Sequence, residues 1–306
     1  MKRLPQATDA DPAFRLPDVC ESGGVTLTGP DLAGFAQFSF AANGYAHVVY
    51  HTGQVRDPAL LLLPELAGFA PGLRAFAERL AAAGYNVFIP WLYGPIGRRT
   101  PLRNAVKLCI VREFGRLRSG RTSPVTVWLR ALAAHLCRHL DGGRIGAIGM
   151  CLSGAFVIPL IIDPAVAAAV AAQPSVPLSW LFLACGVGSS RGLGRLNVSD
   201  EEIRAARARL DRGEARLLAV RCRADRICPN EKIQRLIREF PEGLEVREYG
   251  SDGDRNALGQ RPHATFTKEY RLAPDAASDH YSRQAFADLI EFLDRHLRAG
   301  TQKRGV

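Results

Sequence analysis

Among the residues able to do chemistry, Cys151 stands in the most suggestive setting. It lies in Gly149-Met150-Cys151-Leu152-Ser153-Gly154, behind the apolar run Ile145-Gly146-Ala147-Ile148 and ahead of a second apolar run over residues 154–162. A strand, a tight turn bearing the nucleophile and a helix, in that order, make a nucleophile elbow, and the crowding in its turn demands small flanking residues. Gly149, Ser153 and Gly154 supply them. The N-terminus of the following helix would favour thiolate over thiol, and the backbone N–H of Leu152 would face an oxyanion developing on an attacked carbonyl. Both suit acyl transfer. A cysteine taken alone is more often a small buried residue than a reactive one; the register of strand, turn and helix is what favours the nucleophile here.

An elbow of this kind needs an acid and then a histidine further along the chain. Asp225 follows the apolar run Leu217-Leu218-Ala219-Val220, so it falls at a strand's carboxyl end, where such sites gather. His263 comes after the last strand, in a loop that begins at Gly250. His280 competes for the same role, but it stands immediately before the final helix and reads better as a residue that starts it. His135 and His139, four apart with Cys137 between them, could share a helix face as metal ligands. No third ligand accompanies them, and neither a metal nor another cofactor is expected. Gly188-Ser189-Ser190-Arg191-Gly192 matches G-x-S-x-G letter for letter. Residues 193–197 do not continue as a helix, however, and Arg191 would be crowded in the turn. The same glycines fall short of a dinucleotide fingerprint, because Arg191 takes the place of its third glycine.

The elements that must position these residues alternate in the manner of βαβ units with a mainly parallel sheet. Residues 45–50, 59–63, 86–90, 144–148, 217–220 and 244–249 read as strands, and 59–63 is apolar on both faces, as a central parallel strand is. Leu73, Phe76, Leu80 and Ala81 recur at helical spacing ahead of Gly84, a C-terminal cap. Residues 125–140, 154–162 and 282–297 read as further helices. A capping box at Ser199 and Glu202 opens another, ahead of Ile203. The expected fold class is therefore α/β: an α/β-hydrolase fold, with a mainly parallel central sheet and helices on both faces. Residues 1–37 form an N-terminal extension, 38–298 the hydrolase domain and 299–306 a tail. Within the domain, 178–211 is a candidate lid or insertion, and 94–123 a basic surface excursion.

With 306 residues, 47% of them hydrophobic and 23% charged, the chain can bury a large core and is not of disordered composition. No charged-then-apolar leader opens the sequence, and its apolar runs are far shorter than the roughly 20 residues that span a bilayer. Seven cysteines without tight spacing fit reduced thiols, hence a cytoplasmic protein without membrane partners. The net charge of +10 concentrates in Arg98, Arg99, Arg103, Lys107, Arg112, Arg116, Arg118 and Arg121. That stretch lacks interleaved aromatics and any nucleic-acid motif, so a solvated face is favoured over a site for anionic substrates, and that over nucleic acid.

With these residues in place, the chain resembles the dienelactone hydrolase family, whose elbow reads close to G-Y-C-L-G-G. Residues 63–68 are similar to the family's strand ending in Q-E-I-F-G, Pro90-Trp91-Leu92-Tyr93 to its P-D-L-Y, 225–229 to its D-H-F-V-P, and His263-Ala264 to its H-S. The resemblance runs from about 59 to 297. It implies a Cys151, Asp225, His263 triad that hydrolyses a small-molecule ester or lactone through a thioacyl-enzyme. It also implies Glu65 near the thiol, controlling its protonation, and the Leu66 backbone N–H completing the oxyanion hole beside Leu152. Tyr93, Arg103 and Lys268 become candidates for binding substrate. The sequence departs from the family at Ser153, where the elbow has glycine, and at Thr267, where an arginine grips the substrate carboxylate; Lys268 stands beside it. Dienelactone is therefore not the expected substrate. A non-catalytic binding protein on the same fold is the rival reading, since a fold does not fix a function. The sequence leaves the oligomeric state open.

Overall fold

The computed structural model describes residues 27–52, 58–98, 122–140, 143–175, 193–272 and 280–298. Among them eight strands form one sheet in the order β1-β2-β4-β3-β5-β6-β7-β8. The strands are β1 (Ala36–Ala42), β2 (Tyr45–His51), β3 (Ala59–Leu63), β4 (Asn86–Pro90), β5 (Ile145–Met150), β6 (Val166–Ala172), β7 (Arg216–Cys222) and β8 (Leu244–Tyr249). β1 pairs antiparallel with β2, and β2 with β4. From β4 through β8 every pairing is parallel. The carboxyl ends of β3 and β5 to β8 therefore open on one edge of the sheet, where α/β folds build their sites.

Alternation along each strand sends side chains to two separate cores. Leu61 and Leu63 of β3 join one, while Leu60 and Leu62 join the other. Helices α2 (Pro124–His139), α4 (Asp200–Asp211) and α5 (Asn230–Glu239) contribute Trp128, Leu132, Ala206, Leu210 and Leu236 to the first. Helices α1 (Pro71–Ala82) and α6 (Tyr281–Leu293) contribute Phe76, Leu80, Leu289 and Phe292 to the second. Each of the leucine and phenylalanine side chains, fully buried, is worth about 1.5–3 kcal/mol of transfer free energy. The layered sheet with helices on both faces is the α/β-hydrolase arrangement expected from the strand pattern. Part of the N-terminal extension is tied to the sheet as well, since the Tyr50 hydroxyl donates to the Pro30 carbonyl at 3.0 Å.

The helix expected over 154–162 takes a different form. Residues Cys151–Ala155 make a 3₁₀ turn, followed by a single α-turn α3 (Val157–Leu160). Pro159 lacks an N–H, and Val157 and Ile158 are β-branched, so a long α-helix gains little here. α5, which the strand-and-helix pattern did not single out, buries only a narrow stripe of Lys232, Ile233 and Leu236. Of the stretch read as a lid or insertion, 178–192 lies outside the described residues. Ile203, Ala206 and Leu210 of α4, by contrast, are part of the core. Most of the basic excursion, including Arg103, also lies outside, as does Ser190.

Candidate active site

At the end of β5 the chain turns sharply at Cys151, which has φ +55°. Only strongly constrained non-glycine residues hold such a conformation, at a cost of about 1–3 kcal/mol. The constraint comes from the neighbours. A Cβ on Gly149 would fall 2.1 Å from the Ser153 carbonyl oxygen, and one on Gly154 would fall 2.8 Å from Pro174 Cα, so both positions need glycine. Ser153 is fully buried; its Oγ accepts from the Met150 N–H at 3.0 Å and lies 3.2 Å from the Leu63 carbonyl and 3.1 Å from the Met150 carbonyl. The serine at the family's glycine position thus binds the elbow to the end of β3.

Asp225 and His263 meet behind this turn. Asp225 is buried at the end of β7, and its Oδ1 accepts from the backbone N–H groups of Ile227 at 2.8 Å and Cys228 at 3.1 Å. Its Oδ2 lies 2.6 Å from His263 Nδ1, which fixes the ring and the tautomer. Burial alone would lower the imidazole's affinity for a proton, but the Asp225 carboxylate and the Cys151 sulfur outweigh it and hold His263 well above its usual pKa. His263 Nε2 is buried, and its contact with the sulfur falls short of hydrogen-bond geometry. His280 instead caps α6, accepting from the Ser282 N–H at 3.3 Å.

Glu65 and Leu66 follow β3 after Pro64, and β3 is the other neighbour of the elbow strand. Glu65 Oε1 accepts from the Thr267 hydroxyl at 2.7 Å, so the residue standing where the family has arginine is bonded to this carboxylate. Tyr93 is buried and donates to the Pro64 carbonyl at 2.8 Å, which braces the loop that carries Glu65 and Leu66. Burial, and then the charges of Cys151 and Glu65, push its hydroxyl well up. Lys268 Nζ donates to Gln260 Oε1 at 2.5 Å. A cavity of about 230 Å³ is lined by Glu65, Thr267, Lys268 and Arg271, and neither Cys151 nor another elbow residue lines it.

Two polar residues at the site escaped the sequence reading. Ser175, just past β6, places its Oγ 3.0 Å from Cys151 Sγ. Glu269 is fully buried, and its Oε1 accepts from Asn256 Nδ2 at 3.1 Å and from the His263 N–H at 3.3 Å. Neither lies in a motif that could have flagged it. At the other described cysteines burial disfavours the thiolate. Burial raises the thiols of Cys137 and of Cys228, and pushes Cys222 up to about 11. On α2, His139 Nδ1 lies 2.8 Å from the His135 carbonyl, and the two rings sit 4.1 Å apart. Among the described residues no group of three or more His, Cys, Asp or Glu could hold a metal ion.

Residues 45–241, most of the span that carries the elbow and the acid, match the dienelactone hydrolase family. The chain belongs to that family, and is a hydrolase. A search of curated proteins returns no match. Among solved structures, a Klebsiella pneumoniae subsp. pneumoniae protein assigned to the dienelactone hydrolases is 17% identical, with a TM-score of 0.58, and the alignment covers 86% of this chain and 98% of that one. The Pyrococcus furiosus esterase Pf2001 is 13% identical at a TM-score of 0.51, covering 86% and 93%. Acetyl xylan esterase 1 of Thermoanaerobacterium sp. is 12% identical at 0.52, covering 90% of each. At these identities the likeness is one of fold. No helix among the described residues of this family member is long and apolar enough to cross a membrane.

Proposed function

We propose that this family member hydrolyses small carboxylic esters or lactones with Cys151 as nucleophile, His263 as general base and Asp225 as the group that orients it. The observation that carries the reading is the 2.6 Å contact between Asp225 Oδ2 and His263 Nδ1, behind a cysteine turned out of the sheet at φ +55°. His263 Nε2 takes the thiol proton, the thiolate Sγ then bonds to the carbonyl carbon, and the resulting oxyanion is held by the N–H groups of Leu152 and Leu66. When the tetrahedral adduct collapses, the C–O bond breaks and His263 returns the proton to the alcohol. Water, deprotonated by the same imidazole, then cleaves the thioester, releasing the carboxylic acid and regenerating the thiol.

Glu65 is the group that governs the thiol's protonation in this scheme. It accepts from Thr267, which stands where the family's arginine grips a substrate carboxylate, and this supports esters without a second carboxylate as better substrates than dienelactone. Tyr93 and Lys268 are the described candidates for substrate contacts, and Arg103 is a third by sequence. Free thiols at all four described cysteines fit a reducing, cytoplasmic setting. The test is turnover of small activated esters by two variants. Cys151→Ala is expected to abolish it and Ser190→Ala to leave it within a few-fold; turnover that survives the first change rejects the assignment in favour of a binding protein or another nucleophile.

A further inference from the structure

The Cys151 sulfur has a polar neighbour that belongs to neither the elbow nor the triad. β6 pairs directly with the elbow strand, with Met150 opposite Ala172, so the three residues that follow Ala172 lie alongside the turn. Ser175 is the third of them. Its backbone N–H donates to the Cys151 carbonyl at 2.9 Å, and its hydroxyl oxygen lies 3.0 Å from Sγ. The two residues are thereby joined through main chain and side chain at once. Ser175 is only 3% exposed, so its hydroxyl does not have bulk water as an alternative partner. The segment has little room to swing away. Gln173 sits at φ +37°, Pro174 fixes the next φ, and Pro174 Cα packs so closely on Gly154 that a single added carbon would clash.

While the sulfur carries its proton, either atom can donate in this contact. Once the proton has passed to His263 only the hydroxyl can, and a hydrogen bond to an ionised acceptor is about twice as strong as a neutral one. From this geometry we infer that Ser175 is a fourth catalytic residue: its hydroxyl donates to the Cys151 thiolate, favouring the ionised sulfur before attack and again as it leaves the thioester. No proton is transferred by Ser175. The triad's proton still travels between Sγ and His263 Nε2, and the serine bond lengthens as the sulfur gives its charge to the carbonyl and shortens as the charge returns. His263, Tyr93, Lys232 and Cys228 interact electrostatically with the sulfur, and these groups and Glu65 are all left in place when the hydroxyl is removed.

The inference rests on Cys151 being the nucleophile, so it is tested on the thiol as well as on turnover. Iodoacetamide labelling of the intact protein, resolved to the Cys151 peptide by mass spectrometry, is followed from about pH 5 to 10. In Ser175→Ala, labelling at neutral pH should fall roughly tenfold, the loss of one hydrogen bond to a charged group, with the profile displaced to higher pH by about one unit. Ser175→Thr, which keeps the hydroxyl, should restore most of the rate. Ser175→Val, the same shape without it, should not, and the Thr/Val pair carries the comparison if the alanine variant folds poorly. An unchanged or faster profile in Ser175→Ala, or a threonine variant no better than valine, overturns the proposal. If labelling responds as expected while Cys151→Ala still turns over esters, the sulfur–serine bond stands and the assigned reaction falls.

Discussion

Ser153 replaces a glycine with a buried hydroxyl that accepts from the Met150 N–H and lies within reach of the Leu63 and Met150 carbonyls. That hydroxyl holds the turn against β3, and it helps Cys151 keep its positive φ. Its removal in Ser153→Ala would leave the Met150 N–H without that partner, which costs about 1–3 kcal/mol. The expected result is a thermal midpoint lower by a few degrees, at roughly 2–4 °C per kcal/mol for a domain of this size. An unchanged midpoint in calorimetry would show that the hydroxyl is not a strut. The elbow at Cys151 was legible because its spacing has a mechanical reason, and the candidates Asp225 and His263 because of their places in the chain order, one at a strand's carboxyl end and the other in the loop after the last strand. Ser175 and Glu269 were not. Ser175 reaches the sulfur only because β6 lies beside β5, and Glu269 reaches the His263 N–H only because the chain closes into a π-turn over Thr265–Glu269.

At the scale of elements, the π-turn matters because it carries the support for His263. It begins at Ala264, at φ +66°, and its last residue is the buried Glu269, whose carboxyl is pushed up by burial. Glu269→Ala should therefore loosen the imidazole and lower kcat by roughly 10- to 100-fold, in line with the cost of small misplacements of catalytic groups, with little effect on KM. Glu269→Gln keeps an acceptor for both donors and should stay close to the parent. Equal losses in the two variants would mean that the charge matters rather than the bonding. β3, β4, β5 and β7 were readable because they are nearly continuous apolar runs, and α1 and α2 because their buried faces recur at helical spacing, whereas β1 and β6 were not picked out, β6 because it is mostly alanine, a residue depleted in strands. α5 went unread because one of the three residues it buries is a lysine. The turn after Cys151 was read as a helix because its apolar run is long; Pro159 and the two β-branched residues before it shorten that helix. The shorter helix also leaves less dipole to favour a thiolate, which gives side-chain partners of the sulfur more of that task.

For the molecule as a whole, that buried lysine couples stability to pH. Lys232 is 1% exposed, donates to the Arg195 carbonyl at 2.7 Å and forms no ion pair among the described residues. Burial lowers its pKa to about 8, offset in part by the Cys228 and Cys151 sulfurs. Between that value and the unfolded lysine's usual pKa of about 10.4, the unfolded chain holds the extra proton. This group's contribution to stability therefore rises with pH across that window and is unfavourable below it. Buried thiols titrate there with the opposite sign: Cys222, raised to about 11, loses stability as pH rises through its range. The difference between variants isolates the lysine. Lys232→Met should be at least as stable as the parent at pH 7, and its advantage should shrink as pH climbs from about 8 to 10. A constant difference in denaturant midpoint across that range would contradict the assignment.

The site also draws its parts from separate strand ends. Glu65 follows β3, Cys151 follows β5, Ser175 follows β6, Asp225 follows β7 and His263 lies beyond β8. Each connecting loop can lengthen or change its side chains without shifting the sheet register that brings the others together. The arrangement therefore separates what evolution can vary from what it must keep. In the proposed reading, loop changes around Thr267 and Lys268 would retune which esters are admitted, while Cys151, Asp225 and His263 keep their places around the sheet's carboxyl edge.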